Sequence, residues 1–438
     1  MKAIMALSTQ PYKGARDFYP EDKRLQKQLF KTMRKVVERF GYEEYDAPLI
    51  EPLELYAAKT GDEIVNEQTY SFTDRGGRQV AIRPEMTPTV SRMVAAKRQE
   101  LPYPLRWYSI PVNWRYERPQ RGRLREFWQL NVDLFGVGDL SAEQEIIQVA
   151  DEVMQAYGAK RSQYSIRLNS RKLTDSFLLE YLRLDQVQAH TFSKLIDKMH
   201  KITHAEFVAQ TDALLTPSQR ESGIGDHLLE VLKAEELQEL PEKLQRHPSV
   251  LELKQLMDLL QKANIKNVIF DFTLMRGFDY YTDIVFEVFD TNPENNRSMF
   301  GGGRYDGLVG LFGAEPVPTV GFAMGDVTLT NFLETHDLMP RLRPETDACV
   351  VLIGDVYEYT LPMLADLRQM GVNVAVDLTG RKPASQIKSA VKKGVPYAIF
   401  VGEKELADER YTLKNLDTGK EERHSLQRIV AIVRDYRR

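Results

Sequence analysis

Two alternating runs between Leu105 and Gly136 carry side chains of the kinds that bind small charged molecules. The first sets Ser109, Asn113, Arg115 and Glu117 on one side and Tyr108, Ile110, Val112, Trp114 and Tyr116 on the other. The second sets Arg125, Gln129, Asn131 and Asp133 against Trp128, Leu130, Val132 and Leu134. Strand side chains alternate between faces, so this spacing predicts a hairpin with one packed and one polar face. Its tip, Arg118-Pro119-Gln120-Arg121-Gly122-Arg123, is short and basic, with Pro and Gly to turn the chain, as suits a loop that closes on phosphates. Arginine, amide and carboxylate on one open face point to a small ligand bearing both signs of charge. Alternation alone also describes an ordinary half-solvated antiparallel sheet.

Other chemistries are excluded by what the chain lacks. No histidine precedes His190, so the hairpin works without imidazole and without a histidine-based nucleophilic triad. His200 and His204 stand four apart, but no glutamate completes the metalloprotease pattern, and they read as a surface helix. One cysteine, Cys349, rules out a disulfide framework and a thiolate zinc cluster. The glycines of Gly301-Gly302-Gly303-Arg304-Tyr305-Asp306-Gly307 match neither a P-loop nor a dinucleotide fingerprint; they fit backbone lying close to a ligand, or a loose turn. Lys and Arg total 59 against 63 Asp and Glu, so any basic surface is local. Met1 to Gln10 is too lightly apolar for a signal peptide, and no run reaches the ~18 apolar residues of a membrane span, which makes a cytoplasmic protein the simple expectation.

The positioning elements follow from periodicity. Pro20 with Glu21 and Asp22 starts a helix whose Leu25, Leu29, Met33, Val36, Val37 and Phe40 recur at helical spacing up to Gly41. An extended stretch, Tyr45 to Pro52, leads to a strand and loop around Gln79 to Pro88 and then the hairpin. Ser141 to Tyr157 reads as helix and Tyr164 to Leu168 as strand. From about Lys172 to Ala263 the text is polar, Leu-rich and helical, an insertion in a sheet domain. Strands are expected at Asn267 to Leu274, Asp283 to Phe289 and Val320 to Met324, with a helix from about Asp326. Beyond the joint at Pro340 to Pro344, strand and helix alternate, the pattern of a parallel sheet covered by helices, with a hairpin turn at Asp417-Thr418-Gly419. Arg381, Lys382, Lys388, Lys392 and Lys393 cluster there, either a phosphate-backbone patch or a solvated helix face.

Together these strings resemble the histidyl-tRNA synthetases, class II aminoacyl-tRNA synthetases, over the whole chain. Tyr45 to Pro52 looks like class motif 1, Arg115-Tyr116-Glu117 through Arg125-Glu126-Phe127 like motif 2, and Val320 to Leu329 like motif 3. Arg276-Gly277-Phe278-Asp279-Tyr280-Tyr281 and Gly302-Gly303-Arg304-Tyr305-Asp306-Gly307-Leu308 resemble the two histidine-specific signatures. The resemblance implies an α+β fold: a class II antiparallel-sheet catalytic domain over residues 1–340, with its helical insertion at about 172–263, and an α/β anticodon-binding domain over 345–438. It implies activation of L-histidine by ATP with Mg2+, transfer to tRNA(His), and a homodimer with Pro48 at the interface.

By the same resemblance Arg115 and Arg276 are catalytic, gripping the α-phosphate, with Arg276 also reaching the amino acid carboxylate in place of a metal. Glu117 and Arg123 join Arg115 at ATP. Glu85, Thr87 and Gln129 match positions that hold the α-amino group, Asp133 and Tyr281 those that read the imidazole, and Tyr280 lies beside them. Arg381, Lys382, Lys388 and Lys392 are the tRNA-binding candidates. Two positions depart from the family pattern: Thr328 stands where motif 3 usually carries an adenine-stacking arginine, and Met86 where glycine is frequent. The missing arginine admits an alternative, a catalytically silent histidine-binding paralogue such as an ATP phosphoribosyltransferase regulatory subunit.

Overall fold

The computed structural model describes residues 7–57, 67–199, 202–275, 280–295 and 297–437. The chain divides into two compact units, one of residues 1–17 and 28–339 and one of residues 18–27 and 340–438. The helix Pro20–Arg39 forms as its capping chemistry dictates, with Glu21 and Asp22 in its first turn and Arg39 in its last. It buries Leu29, Met33, Val36 and Val37, and Gly41 at φ 81° turns the chain away.

The strands of the first unit are β1 (Glu43–Glu44), β2 (Ile50–Pro52), β3 (Ser71–Thr73), β4 (Gln79–Ile82), β5 (Leu105–Ser109), β6 (Val112–Trp114), β7 (Glu126–Phe135), β8 (Tyr164–Ser170), β9 (Val268–Phe270), β10 (Ile284–Asp290), β11 (Ser298–Arg304) and β12 (Thr319–Gly325). The main sheet runs β1-β5-β7-β12-β11-β10-β8-β9, with β6 also on β7, and β2, β4 and β3 form a small sheet. Its core pairings are antiparallel; only the edges, β1 on β5 and β9 on β8, are parallel. The hairpin is present, but its first run is two strands. Proline lacks an amide donor, so the ladder breaks at Ile110-Pro111, where Gln129 N instead bonds the Pro111 carbonyl at 3.1 Å. The expected strand Asn267 to Leu274 shrinks to β9, and a helix absent from the sequence reading, Thr87–Ala96, starts with proline in its first turn.

The first part of the glycine string is strand rather than turn, and Asp306 and Gly307 alone of it lie in a turn. Gly301, Gly302 and Gly303 lie inside β11; Gly302 and Gly303 permit close approach to neighbouring strands, and Gly301 lines a cavity. A Cβ on Gly302 would overlap the Gly321 carbonyl oxygen and come within 2.7 Å of Phe322 Cα on β12. At the end of β11, buried Arg304 clamps Glu143 on the helix Ser141–Ala156 through two hydrogen bonds of 2.6 and 2.7 Å. That helix packs on β7 and β12.

The expected helical insertion contains the helices Gln186–Lys198, His204–Leu214, Pro217–Glu221, Ile224–Val231 and Glu242–Gln245. The last of the run, Pro248–Lys262, returns to pack on β8 and on Ser141–Ala156. His200 lies outside the described residues and His204 is exposed. The second unit has β13 (Ala348–Leu352), β14 (Val374–Val376), β15 (Tyr397–Val401), β16 (Tyr411–Asn415) and β17 (Glu421–His424) in the order β14-β13-β15-β16-β17. Only the first three are parallel; β15, β16 and β17 run antiparallel, so the expected parallel sheet is mixed, with the hairpin at Asp417 to Gly419. Its core gathers Val350, Leu364, Leu367, Ile399 and Val433.

The β11–β12 contact predicts the outcome of two glycine substitutions. Gly302→Ala forces backbone apart and is expected to lower stability by roughly 1–3 kcal/mol or more. Gly307→Ala, where nothing lies within 4 Å of the added carbon, is expected to be near neutral. Equal thermal unfolding of the two variants would contradict this packing.

Candidate active site

The register of β7, β10, β11 and β12 builds a cavity by leaving side chains out. Asp133 pairs with Gly321 and Gly321 with Gly303; in the adjacent row Glu287 pairs with Gly301 and Gly301 with Ala323; Gln129 pairs with Gly325. The floor is therefore made of residues with little or no side chain, and above it lies a cavity of about 260 Å³. Asp133 and the Tyr305 hydroxyl occupy the space a Cβ on Gly321 would take, and the Tyr281 ring lies over Gly303.

One end of the cavity is acidic and aromatic. Asp133 is 4% exposed and accepts a short hydrogen bond from Tyr305 Oη. Burial pushes its carboxyl up to about 7, with the Tyr305 hydroxyl pulling it partly back. Burial likewise pushes the Tyr305 phenol well above its ordinary value. Tyr280, Tyr281 and Tyr305 pack with ring centroids 4.8 to 6.4 Å apart. Tyr280 Oη donates to Glu85 Oε2 at 3.2 Å, and Glu85 lies two residues before Thr87, where the positive end of the helix Thr87–Ala96 favours a carboxylate. Met86 is fully buried at that helix's N-cap.

The other end is basic. Arg115 donates through Nε to the Pro84 carbonyl at 2.9 Å and stacks over Phe127 at 5.5 Å. Arg123 reaches Glu117 at 3.1 Å from the exposed hairpin tip, where Gln120 and Arg123 bridge. Thr328 lines this end, but its hydroxyl is turned to the Met299 and Gly325 carbonyls at 2.8 and 3.2 Å. A carboxylate-and-phenol end opposite a guanidinium end can hold a ligand with a hydrogen-bonding cationic part and an anionic part, and stabilise charge growing between them.

Nine of the expected residues line this one cavity. Glu85, Thr87, Gln129, Asp133, Tyr280 and Tyr281 lie along its walls, as do Arg115, Glu117 and Arg123. Arg276, with Gly277, Phe278 and Asp279 of its signature, lies outside the described residues. Pro48 is exposed, beside the half-exposed side chain of Ile50. In the second unit Lys388 and Lys392 are exposed on the helix Pro383–Lys392 and Lys382 is its N-cap residue, while Arg381 is engaged with Asp377 at 2.6 Å. Residue-level reasoning misses Tyr305, because what places it, Gly321 opposite Asp133, is a strand register that no local pattern records. It also misses Arg83 and places Asn113 on an open face, whereas Asn113 is 0% exposed.

The buried carboxyl has a pH signature. An unfolded aspartate loses its proton near about 4, whereas Asp133 keeps it to about 7 in the folded chain. The folded state thus binds more protons in that window, so the group's contribution is full below pH ~4 and is lost as pH rises to ~7. Asp133→Asn stays neutral and is expected to unfold at higher temperature than the parent at pH 8, the gap shrinking by pH 5. A gap independent of pH, measured by thermal unfolding, would refute the shifted carboxyl.

A family model described as histidyl-tRNA synthetase matches residues 14–328, and one described as an anticodon binding domain matches residues 347–436. The histidine–tRNA ligase of Leptospira biflexa serovar Patoc is 45% identical over 413 residues, covering 94% of this chain and 94% of its own. The crystal structure of histidyl-tRNA synthetase from Nostoc sp. PCC 7120 shares the fold at TM-score 0.81 and 23% identity, covering 98% of this chain and 100% of its own. A Bacillus halodurans C chain described as an ATP phosphoribosyltransferase regulatory subunit/histidyl-tRNA synthetase shares it at TM-score 0.73 and 21% identity, over 92% of this chain and 100% of its own. The structural likenesses speak to fold alone; the match over 14–328 and the 45% identity place the chain in the histidyl-tRNA synthetase family.

Proposed function

We propose that this cavity joins L-histidine to ATP and that the chain then transfers the histidyl group to tRNA(His). A histidine carboxylate oxygen attacks the α-phosphorus, pyrophosphate leaves, and a terminal ribose hydroxyl of the tRNA displaces AMP from the adenylate. The observation that carries this reading is the opposed pair of ends in one cavity, Asp133 with Tyr305 against Arg115 with Arg123, in a chain of this family. Asp133, with Tyr281 and Tyr305 around it, accepts from the imidazole N–H. Glu85 and Thr87 hold the ammonium, beside Tyr280. Arg115 meets the α-phosphate, its planar fork suited to charge that grows there, and Glu117 and Arg123 meet the nucleotide. Arg276 is assigned to the α-phosphate and carboxylate by family resemblance. Hydrogen bonds to the ring reject apolar isosteres by up to ~10⁴–10⁵-fold, enough selectivity without editing.

Magnesium is proposed to arrive with the nucleotide. Among the described residues no three His, Cys, Asp or Glu side chains are grouped to hold a metal, and Mg2+ on β- and γ-phosphates needs few protein ligands. We assign residues 1–340 to adenylation and 345–438 to the tRNA anticodon, with Lys382, Lys388 and Lys392 as phosphate contacts and Arg381 contributing only if it leaves Asp377. Pro48 is assigned to a homodimer interface, and the chain to the cytoplasm; among the described residues no helix is long and apolar enough to cross a membrane. The anticodon-domain match over 347–436, together with the 45% identity to a histidine–tRNA ligase, favours the synthetase over the regulatory paralogue.

Pyrophosphate exchange tested with each amino acid separates the two: histidine alone is expected to support exchange, and none would point to the regulator. Asp133→Asn exchanges an acceptor for a donor and is expected to raise the KM for histidine at least tenfold with the KM for ATP nearly unchanged. Equal weakening of both substrates would make Asp133 structural.

The tRNA assignment has its own check. Lys388→Glu with Lys392→Glu is expected to leave exchange intact, raise the KM for tRNA, and reduce the salt slope of tRNA binding by about one unit per lost phosphate contact. An unchanged slope would remove this helix from the tRNA interface.

A further inference from the structure

Gln129 is oriented by a chain of hydrogen bonds that starts outside the cavity. Arg83 is 2% exposed, and Asn113 is fully buried. A guanidinium carries donors only, so the Asn113 atom 3.2 Å from Arg83 Nε must be the acceptor Oδ1. That turns Asn113 Nδ2 toward Gln129, and a donor arriving there at 3.1 Å requires Gln129 Oε1. Arg83 cannot swing to relax the arrangement: Nη1 donates to the Ala47 and Pro48 carbonyls at 2.9 and 3.0 Å, and Nη2 to the Val112 carbonyl at 3.1 Å. Gln129 lines the cavity and, among the described residues, its Nε2 donates to no protein acceptor. The end of the amide left for a ligand is therefore the NH2.

We propose that Arg83 and Asn113 are positioning residues that hold the Gln129 amide donor-first toward the cavity, so that it pairs with an oxygen of the reacting carboxylate or phosphate rather than with the substrate ammonium. The assignment rests on the cavity being the adenylation site. An ammonium has three donors and no acceptor, so an amide presenting NH2 is its wrong partner. An oxygen that gains charge in the transition state is the right one, and a fixed donor aimed there is worth about 10²–10³ in rate. On this proposal Gln129 serves the reacting oxygen, whereas the family resemblance places it at the ammonium.

Asn113→Asp tests this, because it keeps size and Arg83's partner while replacing the donor that faces Gln129 with an acceptor. The Gln129 amide is then expected to invert, spending its NH2 on the new carboxylate. In histidine-dependent exchange, kcat is expected to fall about 10²-fold with histidine and ATP KM values within about threefold, and unfolding temperature preserved. In a Gln129→Ala background the same substitution is expected to have no further effect, because it acts only through that amide. With ¹⁵N-glutamine labelling, the Gln129 side-chain amide protons are expected to shift downfield in Asn113→Asp. Should that variant not fold, Asn113→Leu, which frees the amide without inverting it, is expected to lose about tenfold in kcat, again only when Gln129 is present. A parental kcat in a folded variant, losses that multiply across the double mutant, or an unmoved Gln129 amide resonance would overturn the relay. Absence of exchange in the parent would instead strike the adenylation reading, and the amide resonance still decides the relay.

Discussion

A sheet can carry a cavity on its face only where side chains are missing, and here the register puts the missing ones in line. Gly303 and Gly321 sit beside Asp133, with Gly301 and Ala323 in the next row. Two adjacent strands, β11 and β12, thereby keep their backbones paired while surrendering the volume that side chains would fill. Tyr281 and Tyr305 descend into part of that space, and the rest remains open to a ligand. Asp133 and Tyr305 depend on the arrangement, since a methyl group at Gly321 would displace both the carboxylate and the phenol.

The cost of the arrangement is a buried acid. A carboxylate in a dry site is destabilised far more than one in water, and Asp133 answers by holding its proton to about 7. For recognition of a ring with its own ionisable nitrogens, a carboxyl poised near neutrality has a physical use: it accepts from a ring N–H when ionised, and a cationic ring draws it into that state. A buried acid of this kind lowers stability as the pH rises toward its raised pKa, a trade frequent at functional sites.

Buried arginines hold the surrounding frame. Arg304 ties the end of β11 to Glu143 and to the Val137 and Asp139 carbonyls, which keeps Tyr305, the next residue, pointed at Asp133. Arg83 ties the 47–48 stretch to β6. Both guanidiniums are spent on structure, whereas Arg115 and Arg123 line the cavity. Removing one partner of the buried Arg304–Glu143 pair leaves a charge uncompensated, at a cost of about 3–5 kcal/mol, so that tie is coupled to folding as much as to the site.

The sequence by itself determined what depends on local periodicity and residue chemistry. The polar face of Gln129 and Asp133, the first helix from Pro20, the change to helical text near Lys172, the β16–β17 turn and the strings that resemble the family signatures were all legible, because alternation, caps and turn residues act within a few positions. What tertiary structure decided lies between segments distant in the chain. That the glycines of 301–303 form strand rather than turn depends on Gly321 and Phe322 opposite them, which no local propensity records. That Arg304 serves the scaffold while adjacent Tyr305 serves the site follows from the alternation of a strand end between Glu143 and Asp133. That Gln129 shows its donor end depends on Arg83, 46 positions earlier in the chain, whose fixed set of N–H groups sets the direction of every hydrogen bond after it.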